Sequence, residues 1–171
     1  MGKAGSHVRK GSGTAIVHVR LDGGHRAREK VSLHGWYSGP WFGAARLDGV
    51  RGGELVLGHV AGAHTAFFRV LTYRSGRLVR ERPPGGGSRW TGDGSYSSDI
   101  SVYRGWHDGH AYVTTRTAER SASGHGHHGR DTRCRWNRGW HEVSSTRRHY
   151  AEDSAAFRVG GWHVAGLDRF P

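Results

Sequence analysis

Three histidines stand together in a glycine-rich stretch, His125, His127 and His128, with Cys134 shortly after them. Imidazole and thiolate are the usual zinc ligands, and a structural zinc needs four of them in tetrahedral array. Neither Cys-x-x-Cys nor His-Glu-x-x-His spacing accompanies the cluster. His141-Glu142 is followed by Val143, Ser144 and Ser145, so the zincin pattern fails. A zinc site at His125, His127 and His128 therefore competes with a plainer reading, a solvated polar loop that binds metals loosely.

A second chemistry-bearing pattern is aromatic and basic. Gly-Trp-His occurs at residues 105–107, 139–141 and 161–163, and the first two are preceded by Arg104 and Arg138. An exposed indole can stack on a sugar or a base while a neighbouring arginine meets a phosphate or acidic sugar. The same indole can equally pack into a core beside a tight turn. Residues 130–148 add Arg130, Arg133, Arg135, Arg147 and Arg148 together with Trp136 and Trp140. The candidate ligand residues are Arg104, Trp106, Arg133, Arg135, Arg138 and Trp140. On a strand, Arg133 and Arg135 share one face and Cys134 and Trp136 the other. That alternation serves a ligand face, and it also describes an ordinary strand with its charge in water.

No catalytic motif appears. Residues 124–129 spell G-x-G-x-x-G, but they neither leave a strand of a βαβ unit nor open a helix. There is no P-loop and no G-x-S-x-G elbow. Cys134 lies in a β-rich run, where a buried, inert thiol is expected. No catalytic residue is named, and a hydrolase using surface histidines is the remote alternative.

The elements that must carry these residues read as hairpins. Residues 65–73 and 78–81 flank a Ser-Gly turn. Residues 99–106 and 111–117 flank Asp108-Gly109, a dipeptide suited to the two left-handed positions of a type I′ turn. Residues 132–136 and 140–145 flank Asn137-Arg138-Gly139, which suggests a three-residue loop with glycine in the left-handed position. The turn glycines Gly76, Gly109 and Gly139 recur at near-even spacing, an internal repeat of structure. Residues 82–89 and 121–130 read as loops. Residues 151–156 are the only plausible helical turn, and residues 157–165 could add a last strand. The expected fold is all-β: antiparallel hairpins in a sandwich or partial propeller-like stack, with little helix. Residues 1–13 read as a flexible leader and residues 14–171 as one β-rich domain.

The N-terminal part contains a second echo. Arg20-Leu21-Asp22-Gly23 is followed by Glu29, and Arg46-Leu47-Asp48-Gly49 by Glu54-Leu55-Val56-Leu57. This unit, over about residues 16–82, resembles a degenerate FG-GAP or VCBS-type repeat of the kind found in exported actinobacterial proteins. The resemblance implies paired strands around a calcium-type loop, whose ligands here would be Asp22 and Glu29, and Asp48 and Glu54. Each loop keeps two acids where calcium takes six to eight oxygens. Zinc and calcium are thus the metals whose ligand types are present, and no other cofactor is implied.

Composition bounds the rest. The net charge is +12 and rests almost wholly on arginine, since lysine occurs only at positions 3, 10 and 30. A GC-rich genome writes Arg for Lys, and a polyanion-binding surface also collects Arg. One cysteine excludes an internal disulfide. No stretch approaches 18 apolar residues, so no transmembrane helix is expected. The basic first residues lack the apolar core of a signal peptide. The expectation is a non-enzymatic binding or scaffold module, secreted or at the surface of a bacterium, its signal segment not within this chain. A polyanion- or single-stranded nucleic-acid-binding module is the alternative. The partner stays open among a polyanion, a saccharide and another protein.

Overall fold

The computed structural model describes residues 4–8, 13–34 and 40–168. Strands β1 (Ala4–Val8), β2 (Thr14–Arg20) and β3 (Arg26–Ser32) form a three-stranded antiparallel sheet. The remaining strands are β4 (Trp41–Ala45), β5 (Glu54–Ala61), β6 (Thr65–Arg74), β7 (Arg77–Glu81), β8 (Trp90–Gly94), β9 (Ser98–His107), β10 (His110–Arg120), β11 (His127–Trp136), β12 (Trp140–Tyr150) and β13 (Gly161–His163). The single described helix is α1 (Asp153–Phe157). These ten strands make one sheet in the order β12-β11-β10-β9-β8-β6-β5-β4, with β7 beside β6 and β13 running parallel to β9. The architecture is an all-β antiparallel sandwich, as the hairpin pattern implies. No described helix is long and apolar enough to cross a membrane.

Two apolar layers hold the sandwich. Strict alternation on β2 turns Ala15, Val17 and Val19 inward and leaves Ile16, His18 and Arg20 exposed. Val17, Val19 and Val31 pack on Leu55, Leu57, Leu71 and Leu78 of the larger sheet. Strand β5 is buried on both faces from Glu54 to His59, so Leu55, Val56 and Leu57 follow one another with no polar residue between them. Its other face carries Val56 into a second core with Phe68, Val70, Val102 and Val113. Tryptophan supplies the bulk there. Trp90 and Trp162 stack with centroids 5.7 Å apart, and Phe68 meets Trp162 edge-on at 5.3 Å.

All three hairpins form. Ser75 and Gly76, and Asp108 and Gly109, have positive φ at both central turn positions, the signature of type I′. The third turn differs in detail: the left-handed residue is Arg138 (φ 57°) and not Gly139, and the Asn137 N–H donates to the Gly139 carbonyl at 2.8 Å.

Three expectations change. Within the stretch read as a leader, Ala4–Val8 lies antiparallel to β2 and extends the small sheet by one strand. The loop expected at residues 121–130 spans only residues 121–126, because β11 begins at His127. Glycine there is demanded by close strand approach and does not mark a loop: a Cβ on Gly129 would lie 1.9 Å from the Thr117 carbonyl oxygen. The strand expected at residues 157–165 shrinks to Gly161–His163, since α1 occupies its start.

Candidate functional site

The three histidines do not converge. His125 is exposed in the loop. His127 points to the α1 side of the sheet, in register with Arg120 and Tyr150, and is fully buried edge-on to Phe157. Neither of its ring nitrogens has a hydrogen-bond partner, and its Nδ1 stands 3.6 Å from Asp153. His128 takes the opposite face, opposite His149, and is exposed. Strand alternation therefore separates His127 from His128. Cys134 is buried opposite Glu142, and burial, aided by that carboxylate, pushes its thiol up. The zinc cluster read from the sequence is not assembled among the described residues.

The acids behave differently in the two echoed units. Asp22 is exposed in the β2–β3 turn and Glu29 lies opposite Val17 on the small sheet. Asp48 and Glu54 are buried and come together, and Glu81 joins them. Ligand oxygens of these three lie within 4.8 Å of one another. Glu54 opens β5, and register pairs Val56 with Val70 and Val70 with Glu81, so Glu54 and Glu81 share a face. Asp48 arrives from the β4–β5 connection. Its Oδ1 accepts from the Val50 N–H at 2.8 Å, and the Arg74 guanidinium donates to its Oδ2. Glu54 accepts from the Leu47 N–H at 2.6 Å and from the Thr72 hydroxyl at 3.2 Å. Among the described residues, no hydrogen bond of normal geometry reaches either oxygen of Glu81. Burial, then the Glu54 and Asp48 charges, raise the Glu81 carboxyl to about 9, against smaller pulls from Arg74 and the Trp140 indole. Burial raises Glu54 as well.

The basic and aromatic residues divide between faces and ends. Arg104 and Trp106 lie near the β9–β10 turn, with the guanidinium 5.4 Å from the ring centre and Trp106 60% exposed. Trp140 is drawn into the core edge against Trp90 and Trp136, with centroids at 6.1 and 5.2 Å. Trp162, from the third Gly-Trp-His, is fully buried. Arg133 and Arg135 share the other face with Tyr112, and the Arg133 guanidinium lies 5.7 Å from that ring. Arg138 is exposed in the turn.

Sequence reasoning missed the grouping at the far end of the same ribbon. β12 is the edge strand and is exposed along nearly its whole length. There Arg130 pairs directly with Arg147 and His128 with His149, and the one acid on this groove among the described residues is Glu119, in register with His128. Together with Thr117 they border an open groove of about 400 Å³. Arg130 donates to the Ser145 hydroxyl at 2.8 Å, and neither it nor Arg147 forms an ion pair among the described residues. On the reverse face Arg116 and Arg148 both clasp Asp131. Burial pushes the Asp131 carboxyl up, but those two guanidinium bonds outweigh it, and the net displacement is downward. A sequence signal existed for this grouping: the doublet Arg147-Arg148 must put one arginine on each face of a strand. In comparisons with family models, curated proteins and solved structures, the chain matches none.

Proposed function

We propose that this chain is a non-enzymatic β-rich binding module whose ligand is an extended polyanion laid along the β11–β12 ribbon. The observation that carries this reading is the direct opposition of Arg130 and Arg147. Like charges directly opposite on neighbouring strands are destabilising. Their juxtaposition on a solvent-facing groove supports a surface kept for an anion that neutralises both. The ribbon from residue 127 to 150 holds six arginines and two acids, and Asp131 is already taken by Arg116 and Arg148.

The groove favours backbone charge over base stacking. Its lining holds the His128 imidazole but no Trp, Tyr or Phe, and Trp140 is committed to the core edge. An acidic polysaccharide fits that chemistry better than a single-stranded nucleic acid, which gains much of its affinity from stacked bases. An exported setting belongs to the same reading, because acidic polysaccharides are met outside the cell. The lone buried thiol is compatible with an oxidising compartment.

The test is binding of labelled heparin and of a thymidine oligonucleotide across a salt series. Affinity for heparin that falls linearly with log salt, and a drop of roughly 2 in the slope for the double variant Arg130→Ala/Arg147→Ala, is the expected result. Flat or absent binding by both ligands would sink the proposal, and stronger binding of the oligonucleotide would move it to nucleic acid.

A further inference from the structure

We propose that Asp48, Glu54 and Glu81 bind a hard divalent cation that ties the β4–β5 connection to the β6–β7 hairpin. All the donors are oxygens, which select calcium, magnesium or manganese over softer metals. The three ligand oxygens lie within 4.8 Å of one another. Two ligands of one ion with bonds of about 2.4 Å stand at most about 4.8 Å apart, and every pair of these oxygens meets that limit.

An acidic cluster alone would not justify a site. Glu81 supplies the second observation. It is 4% exposed, and among the described residues neither carboxylate oxygen accepts a hydrogen bond of normal geometry, the Trp140 indole N–H being the one side-chain donor turned toward it. Buried carboxylates ordinarily collect partners, so an orphaned one needs an ion or a proton. Its neighbours are already engaged, Asp48 by Arg74 and the Val50 N–H, and Glu54 by the Leu47 N–H and the Thr72 hydroxyl. Each engaged oxygen still keeps a second lone pair for a metal.

Charge points the same way. The Asp48 and Glu54 side chains are 0% and 1% exposed, and Arg74 is the one cation in ion-pair reach of them among the described residues, 3.8 Å from Glu54. Three carboxylates against one guanidinium leave two negative charges in a low-dielectric region, where uncompensated charge is expensive. A divalent cation closes that balance completely, whereas a proton on Glu81 closes half of it. The Arg74 side chain, 28% exposed, stands at the rim and marks the way in.

The experiment uses the intact protein and Glu81→Gln, melted at pH 7.5 in EDTA and then with calcium, magnesium or manganese chloride. At hundredfold excess over Kd, one of these ions is expected to raise the wild-type Tm by roughly 5–10 °C. Glu81→Gln should show no such shift. A wild-type Tm that no ion moves, with Glu81→Gln at or above wild type in EDTA, overturns the proposal and assigns the site to a proton. Should Glu81→Gln fail to fold, terbium luminescence on the wild type decides. Trp90, whose indole N–H donates to the Glu81 carbonyl at 3.0 Å, is placed to sensitise a lanthanide. Sensitised emission competed away by calcium supports the site, and its absence overturns it.

Discussion

Arg130 on β11 and Arg147 on β12 face each other directly across the antiparallel ladder, and no carboxylate among the described residues forms an ion pair with either. Replacing one of them by an acid should convert repulsion into attraction. Arg147→Glu is expected to stabilise the fold by about 0.2–1 kcal/mol, measured by urea denaturation. The same variant should elute from heparin at clearly lower salt. Lower stability with unchanged heparin retention would contradict both halves of the argument.

The three Gly-Trp-His motifs place their indoles in three environments, and alanine should rank them. Trp162 is 1% exposed and central to the aromatic cluster, so Trp162→Ala should cost about 3–5 kcal/mol. Trp140→Ala, at the core edge, should fall between. Trp106 is 60% exposed, so Trp106→Ala should stay within about 0.5 kcal/mol of wild type. Chemical denaturation of the three variants reads the order directly.

Asp99 makes stability depend on pH between about 4 and 6. It is 1% exposed, and burial, then the nearby Asp93 charge, push its carboxyl from 3.8 up to about 6. The folded protein thus holds this proton more tightly than the unfolded chain. The resulting stability is present at low pH and is lost as pH rises from about 4 through 6, for a total of about 2–3 kcal/mol. Asp99→Asn stays neutral, so it should raise Tm at pH 7.5 and leave it nearly unchanged at pH 4. An equal shift at both values would remove Asp99 as the titrating group.

His127 is fully buried with neither ring nitrogen hydrogen-bonded, which is a cost without a matching gain. His127→Leu should therefore be neutral or stabilising by about 1 kcal/mol in thermal melts. A loss above about 2 kcal/mol would mean that the contact with Asp153 carries real weight.

Gly129→Ala tests the reading of residues 127–130 as strand. The added methyl would collide with backbone, the Thr117 carbonyl, which has no soft side chain to move aside. Destabilisation of several kcal/mol, at the upper end for a single substitution, is expected in a urea titration. A neutral result would restore the loop.

Local patterns exposed much of this fold. Asp108-Gly109 and Ser75-Gly76 announced their hairpins because the I′ turn needs two left-handed residues, and short dipeptides carry that requirement. Glycine misled at Gly129, where a close backbone approach and a flexible loop call for the same residue. The echoed Arg-Leu-Asp-Gly units misled in another way. Their sequences match, yet one closes the short β2–β3 turn, exposed on the small sheet, and the other lies buried in the longer β4–β5 connection, a tertiary difference that no local window contains. Asp48 and Glu54 were legible as a pair. Glu81 was not, because it meets them only through the register β5–β6–β7. The opposition of Arg130 and Arg147 was hidden for the same reason: it depends on how two residues 17 positions apart are aligned by a turn and a bulge at Arg133/Cys134.

The two-faced burial of β5 bears on how this chain melts and folds. Leu55 and Leu57 belong to one apolar layer and Val56 to the other, so a single strand is structural property of both. Neither layer can loosen while the other stays intact. The molecule should lose its structure in one cooperative step, with fluorescence from Trp162 and circular dichroism from the small sheet changing together. It also follows that the chain cannot be divided into two self-sufficient halves: a cut on either side of β5 would leave one piece with half a core and an open strand edge, ready to aggregate.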